Sequence, residues 1–372
     1  MPTFNGTLRA NKIFAALFNM IIGQYFTNDK YTTGYRLVDL HKVDGTLYGD
    51  TKIYYSVDVL PTIEWNNYSE ASNLLAVKKP DAPKQQAIRL SHFRMVWITV
   101  DHYLTKTAWQ AEGAFGNFIS EILAQLGNAK KNFEAKLFNS FIGTNKADAT
   151  IVPKTSISLT LPTSGTEADN RLRAQKINKA FADLAVEMKD STRDYNEYKF
   201  LRSYNPEDLE FIVNANYANE ITEIDLPTIF HNEKLKDITT KNVLPAKYFG
   251  TVITTDGTTD ATNTTVRSLL EMDYVVNKVT YHVLPGDLLP GGCAYKATVT
   301  DSYGNVDNAV YTQDDKIICK IIHKDSVPFM DSFEVGTNFY NPRSLTENHY
   351  LIWGYSDLEH LLDQPIITVS EA

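Results

Sequence analysis

The spacing of apolar and polar positions changes along the chain, and each change marks a predicted element. Between Thr46 and Tyr68 apolar and polar residues alternate, with turn residues at Gly49-Asp50 and at Pro61. A period of two is typical of β-strands. We therefore predict an extended β-hairpin with strands at Thr46–Asp58 and Leu60–Tyr68. Because a two-stranded hairpin is only marginally stable alone, we expect it to lie against another surface.

After a strand predicted at His92–Val100, the period becomes helical. From Trp109 to Phe141 apolar residues recur three and four positions apart, which places them on one helical face. A helix of about 30 residues would be about 45 Å long, and Gly143 is a plausible C-cap. A second amphipathic helix is predicted at about Asp169–Met188.

The second half of the chain predicts short elements. Residues 251–265 contain eight threonines, and turn residues continue to about residue 315, so we predict an all-β elaboration there. The other predicted elements are strands at Tyr198–Arg202, Phe211–Val213, Lys316–His323, Leu351–Tyr355 and Ile366–Val369 and a helix at Tyr217–Asp225.

Composition narrows the class of protein. The chain has 372 residues, 36 Lys and Arg, 45 Asp and Glu and a net charge of −9, which argues against a whole-chain nucleic-acid binder. Two lone cysteines, Cys293 and Cys319, argue against a disulfide scaffold and suggest a reducing compartment. No apolar run is long enough to span a membrane, so no membrane partner is expected.

The N-terminal segment is basic in contrast to the acidic remainder. Arg9 and Lys12 precede the apolar run Ile13–Ile22, which resembles a short signal peptide but has no small-residue cleavage site after it. We interpret residues 1–38 as an arm that docks on neighbouring copies of the acidic body. An ordinary first helix is the alternative.

The residues and spacings that carry catalysis are missing. The sequence has no G-x-S-x-G, G-x-x-x-x-G-K-[ST] or G-x-G-x-x-G motif. The cysteines have no C-x-x-C partner for zinc, and no nucleophile, base and orienting group are recognisable together. We therefore expect no enzyme activity, no catalytic residues, no metal and no cofactor.

Three stretches resemble the major capsid proteins of tailed phages. The sequence is most similar to the podophage head proteins of the phi29 group, whose architecture is the Hong Kong 97 (HK97) fold. The three stretches are Trp109–Ile119 running into Phe133–Phe138, the segment Leu201–Val213, and a C-terminal run with Lys324-Asp325, Phe329-Met330, Asn341-Pro-Arg343 and Tyr350–Tyr355.

The resemblance implies an α+β fold of the HK97 type and a domain order. The implied parts are an N-terminal arm (1–38), an extended β-hairpin loop or E-loop with its return strand (39–108), a peripheral domain with a long spine helix (109–200), an axial domain (201–330), and a C-terminal return to the peripheral domain (331–372). The Thr-rich β segment at about 251–315 departs from the group's pattern, and we interpret it as an insertion in the axial domain.

The resemblance also implies a structural function. The protein is expected to self-assemble as hexamers and pentamers into an icosahedral-type head that encloses double-stranded DNA without sequence specificity. A scaffolding protein and a portal are expected partners. The implied locations are the virion capsid and, during assembly, the host bacterial cytoplasm.

The aromatic residues of the predicted hairpin are candidate contacts between subunits, because Tyr and Trp bury much area at low entropy cost. Covering this subunit's own helices is the alternative role. Complementary edges are also predicted between the basic stretch Lys78–Lys106 and the acidic stretch Glu207–Asp237. The proposed interface residues are Tyr48, Tyr54, Tyr55, Trp65, Tyr68, Arg9 and Lys12.

Two alternatives to a phage head protein remain at this point. An encapsulin-type nanocompartment shell would share the fold but enclose an enzyme; the N-terminal arm favours the viral version. A secreted β-rich adhesin or glycan-binding protein would explain the Thr-rich stretch.

Overall fold

The computed structural model describes residues 37–44, 51–62, 79–101, 112–145, 156–163, 166–222 and 242–372. Strands predominate over a few helices. The helices are α1 (Val38–His41), α2 (Glu112–Gly143), α3 (Glu167–Lys189) and α4 (Ala215–Thr222). The strands are β1 (Lys42–Asp44), β2 (Thr51–Ser56), β3 (Lys84–Asp101), β4 (Thr144–Asn145), β5 (Ser156–Leu159), β6 (Leu209–Asn214), β7 (Asn242–Leu244), β8 (Gly250–Val252), β9 (Gly257–Thr258), β10 (Val266–Ser268), β11 (Met272–Val276), β12 (Val279–Val283), β13 (Ala294–Tyr295), β14 (Thr298–Thr300), β15 (Val306–Asn308), β16 (Val310–Gln313), β17 (Ile317–His323), β18 (Phe329–Asn341), β19 (Thr346–Ser356) and β20 (Ile366–Glu371).

Helix α2 is the long helix that the periodicity predicts. It has 32 residues, and its C-terminal half buries Phe133, Leu137 and Phe138. These side chains belong to a core that also contains Phe329, Trp353 and Tyr355 from β18 and β19, and Tyr248 and Phe249. The helix ends at Gly143, where a Cβ atom would lie 2.1 Å from the Tyr248 carbonyl oxygen.

Helix α3 confirms the second predicted helix. Its N-cap is Thr166, whose hydroxyl accepts a hydrogen bond from the Asp169 N–H at 3.2 Å, the usual arrangement at a helix start. Ile177, Phe181, Leu184 and Met188 form its buried face, as their spacing predicts.

A five-stranded sheet in the order β5-β20-β17-β6-β7 lies between these two cores. Strand β17 is buried along both faces: Ile317 and Ile322 belong to the α2 core, whereas Ile318, Cys319 and Ile321 belong to the α3 core. A strand covered on both sides has a continuous apolar sequence, which is why this strand could be predicted.

A second five-stranded sheet, which we call the long sheet, has the order β1-β18-β19-β3-β2. Strand β3 has 18 residues and is therefore about 60 Å long at about 3.3 Å per residue. Its first part pairs with β2 and its remainder with β19. Because β3 belongs to both pairings, it connects the β2 end of the long sheet to the β18–β19 hairpin.

The predicted hairpin partner is wrong. Thr51–Ser56 is a strand, but it pairs with Lys84–Arg89 of β3, and residues 57–62 are not strand. Alternation identifies a strand without identifying its partner, because the paired residues here lie 28 (Ser56 and Lys84) to 38 (Thr51 and Arg89) positions apart. The rest of the predicted partner, residues 63–68, lies outside the described residues.

Residues 250–313 form the predicted all-β elaboration, which we call the β module. Its core contains Tyr274, Val283, Leu289, Cys293 and Val310. It includes the antiparallel hairpins β11–β12 and β14–β15.

One further prediction fails: Tyr198–Arg202 is not a strand but makes only an isolated bridge from Arg202 to Thr192.

Candidate subunit-contact surface

The two faces of strand β3 have different environments. Even-numbered residues point toward helix α2: Val96 packs against the α2 core together with Leu351, and the Arg94 guanidinium lies 4.6 Å from the centre of the Phe133 ring. Odd-numbered residues point away from the helix. Met95 and Trp97 on that side are 54% and 58% exposed, although both are large and apolar.

The neighbouring strands extend this exposed side into a surface, which we call the outward face. Cross-strand partners share a face of a sheet, so the strand register defines its members. They form three rows across β3, β19 and β18, namely Met95, Ile352 and Val335; Trp97, Tyr350 and Thr337; and Thr99, Asn348 and Phe339.

The outward face has an aromatic centre. The Trp97 and Tyr350 rings are stacked with their centres 6.4 Å apart, and the Thr99 hydroxyl donates to the Asn348 side-chain oxygen at 2.6 Å. Phe339 at its edge is 65% exposed. None of the nine side chains is charged. Contiguous exposed apolar surface of this kind marks interaction sites on soluble proteins, and interface centres are poor in charge and rich in aromatics.

The paired strands β2 and β3 carry the two hairpin tyrosines that the structure describes. Tyr54 is half-buried and packs against a small core of Ile88, Leu90, Met330 and Leu361; burial and the nearby Asp325 raise its pKa. Tyr55 points to the opposite side and is 65% exposed. Tyr54 therefore covers its own subunit, whereas Tyr55 is available to another molecule.

The segment after β2 is fastened to its own subunit. The Asp58 carboxylate accepts hydrogen bonds from the Leu201 N–H at 2.9 Å and from the Arg193 guanidinium at 2.5 Å. These bonds, with one from the Val59 N–H, lower the pKa of Asp58. The Ser56 hydroxyl donates to the Asp363 carboxylate at 2.6 Å. The base of the loop is thus held, and Val57, Val59 and Leu60 beside it are exposed.

The other predicted interface residues, Tyr48, Trp65, Tyr68, Arg9 and Lys12, lie outside the described residues. Of the predicted acidic edge, Asp208 pairs with Lys324 at 2.5 Å and Glu210 with His41 at 3.1 Å. Both carboxylates are therefore engaged within the subunit.

The sequence did not predict the outward face, because Val96 and Ile98, which alternate with Met95, Trp97 and Thr99, are apolar too.

The described residues contain no cluster of three or more His, Cys, Asp or Glu side chains that could hold a metal ion. Within the same part of the chain, no helix combines the length and apolar character needed to cross a membrane. Both cysteines are free and buried, and burial raises the pKa of each thiol.

This fold is the fold of bacteriophage capsid structures. The capsid structure of Staphylococcus phage Andhra has a TM-score of 0.57 and 13% sequence identity over 100% of this chain and 88% of that chain. A structure of the head fiber and inner core protein gp22 of native bacteriophage P68 has a TM-score of 0.53 and 12% identity over 100% and 88%. Among curated proteins, none matches this sequence.

The family of this protein is shown by a match of its sequence to a family model. The model of the family described as Phi29-like phage major capsid protein matches residues 6–354, so the chain belongs to that family. It is therefore a major capsid protein, a structural component of a phage head that assembles with copies of itself. Neither the encapsulin nor the adhesin alternative is supported.

Proposed function

We propose that this protein forms hexamers and pentamers of an icosahedral-type head enclosing double-stranded DNA, and that the outward face of the long sheet is a contact between copies. The observation that carries the proposal is the uncharged surface around Trp97 and Tyr350, on which the large apolar side chains of Met95, Trp97 and Phe339 are exposed. A coat protein that must bind other copies has a use for such a surface, whereas a monomer does not.

The finer architecture that we propose is of the HK97 type. Helix α2 would be the spine helix and the β2–β3 pair the base of the E-loop. Residues 201–330 would form the axial domain with the β module inserted, and 331–372 the return to the peripheral domain. The order and length of the elements support this division, since α2 lies against the long sheet and residues 57–83 connect the two strands of the loop base.

The proposed partners and location follow from charge and chemistry. A net charge of −9 favours enclosing DNA over binding it tightly. Two free, buried thiols are compatible with assembly in a reducing host cytoplasm. A scaffolding protein and a portal are the other partners that we propose. The exposed Tyr55, with Tyr48, Trp65, Tyr68, Arg9 and Lys12, would contribute contacts between subunits near the loop and the arm.

The test is assembly of a Trp97→Ala, Phe339→Ala double variant. An exposed aromatic side chain that becomes buried between copies removes about 100 Å² from water and contributes about 2–3 kcal/mol. Losing one such contribution weakens a contact at least tenfold. We expect the protein concentration needed for shell formation, followed by electron microscopy and sedimentation, to rise at least tenfold.

The control is Tyr281→Ala, which removes a 45% exposed tyrosine of the β module. Circular dichroism establishes that each unassembled variant keeps the fold. Shells that form at the wild-type concentration from a folded double variant would remove the outward face from the proposal. Failure of the wild-type chain to assemble, alone or with a scaffolding protein, would contradict the proposal of hexamers and pentamers itself.

A further inference from the structure

His92 lies where the β module meets the long sheet. It belongs to β3 and is 8% exposed, with its ring stacked on Tyr355 of β19 at 5.1 Å between centres. The β14–β15 hairpin of the β module approaches the same place. Tyr303 of that hairpin contacts Phe93 with ring centres 5.2 Å apart, and the Asn305 side-chain amide donates to the Ser91 carbonyl at 3.2 Å.

Both ring nitrogens of His92 face carboxylates. Nδ1 lies 3.4 Å from Asp301 and 3.8 Å from Asp307, both in the β14–β15 hairpin. Nε2 lies 3.0 Å from Asp357, which follows β19. A neutral imidazole has one N–H and one lone pair, whereas the imidazolium donates from both nitrogens. Only the protonated ring can therefore interact favourably with the carboxylates on both sides.

The surrounding charges make protonation favourable. Burial opposes it, but the hydrogen bond to Asp357 and the charges of Asp307, Asp357 and Asp301 raise the pKa of His92 above its ordinary value of 6.5. Burial raises the pKa of Asp307. Against the opposing effect of burial, hydrogen bonds lower the pKa values of Asp301 and Asp357.

Two cations and one phenol complete the charged surroundings. The Arg89 charge lowers the pKa of Asp357, and Arg94 lies near Tyr355, whose pKa burial raises to about 12. Among the described residues, His92 is the basic group that lies within 4 Å of all three carboxylates.

We propose that His92 is a protonation-dependent clasp that fastens the β14–β15 hairpin of the β module to the long sheet. With the ring protonated, one cation bridges carboxylates of the hairpin and of the segment after β19. When the proton leaves, one nitrogen presents its lone pair to a carboxylate, and Asp301, Asp307 and Asp357 repel one another. The hairpin then opens more often, while Tyr303 and Asn305 still retain it.

The direction of the pH dependence follows from the linkage between protonation of His92 and closure of the hairpin. Because the pKa of His92 is raised in the closed state, the stabilisation is complete below about pH 6.5 and is lost as pH rises through the raised value. The opening constant is the equilibrium constant between the open and the closed hairpin. It increases tenfold from low to high pH for each unit by which the pKa of His92 in the closed state exceeds its pKa in the open state.

The experiment is hydrogen exchange of the unassembled full-length chain between pH 6 and pH 9, corrected for intrinsic exchange and followed on peptides covering 298–308. We expect protection there to fall in the wild type, tenfold for each unit by which the pKa of His92 is raised in the closed state. His92→Gln keeps a hydrogen-bonding side chain that does not titrate, and its protection should be independent of pH. An equal fall in both proteins, or none in the wild type, would overturn the clasp.

The matched control is His282→Gln. His282 also lies between two carboxylates, Asp273 at 2.8 Å and Glu271 at 2.9 Å, but in the exposed β11–β12 hairpin, and its substitution should leave the 298–308 profile unchanged. If His92→Gln does not fold, the wild-type ring can be titrated by NMR. A pKa of His92 at or below 6.5 would overturn the proposal without any variant. Neither measurement depends on assembly, so the clasp and the proposed subunit contacts fail independently.

Discussion

Replacing Lys320 with methionine is expected to stabilise the protein near neutral pH. Lys320 lies in the middle of β17 and is 1% exposed. Its ammonium donates to the Thr144 carbonyl at 3.3 Å and contacts the Asn145 side-chain oxygen, and no carboxylate neutralises it among the described residues. Burial lowers its pKa from 10.5 to about 7. Methionine keeps the length and most of the packing of this side chain.

The size of the expected change in the free energy of unfolding follows from the proton that Lys320 must lose on folding. Between pH 7 and about 10.4 the unfolded lysine binds a proton that the folded one does not, so stability increases with pH by up to about 1.4 kcal/mol per unit. At pH 8 the unfavourable contribution is about 3 kcal/mol. The two hydrogen bonds offset about 1 kcal/mol each. Lys320→Met should therefore add about 1 kcal/mol at pH 8, and about 2 kcal/mol at pH 7.

The assay is urea unfolding of the unassembled chain at several pH values between 7 and 9. The wild-type midpoint should rise with pH, and the Lys320→Met midpoint should lie higher at pH 7 and rise less. Lys316→Met, which removes an exposed lysine one residue before β17, should keep the wild-type slope. Parallel wild-type and Lys320→Met profiles, or a Lys320→Met protein that is less stable at pH 7, would refute the reasoning.

Two further predictions use neighbouring or related positions as each other's controls. Tyr54→Ala should lower stability by about 2 kcal/mol, since about half of a core tyrosine is lost, whereas Tyr55→Ala should leave thermal unfolding unchanged and weaken shell assembly; the reverse result would contradict the assigned faces. On helix α2, Gly127→Ala should stabilise by about 1 kcal/mol through helix propensity, because a Cβ there meets nothing within 4 Å. Gly143→Ala should destabilise by about 1–3 kcal/mol through overpacking against the Tyr248 backbone, and equal melting temperatures for the two glycine variants would contradict this difference.

Elements with a strong local period could be predicted from the sequence, and their partners could not. Helix α2 is recognisable from apolar residues that recur with the helical period, and strand β17 from a nearly continuous apolar run. The partner of β2 is different, because pairing Thr51–Ser56 with Lys84–Arg89 depends on which distant strand the core brings alongside. Alternation alone carries no information on that choice.

For the outward face and the His92 cluster, too, the sequence predicts the strand but not what its side chains contact. The sequence predicts a strand through Met95 and Trp97 but cannot say which side faces helix α2, because both sides are apolar. Asp301, Asp307 and Asp357 lie more than 200 positions after His92, so only the folded chain shows that they converge. The family, by contrast, was recognisable from three stretches of sequence, and the family match confirms it.

The length of β3 restricts how this gene can change. Removing one residue from the middle of the strand would move every side chain beyond that point to the opposite side of the sheet. Met95, Trp97 and Thr99 would then turn toward helix α2, and Val96 and Ile98 would take their places outside. Insertions and deletions within 84–101 should therefore survive selection only in steps of two residues, while the loop 342–345 between β18 and β19 can change length one residue at a time.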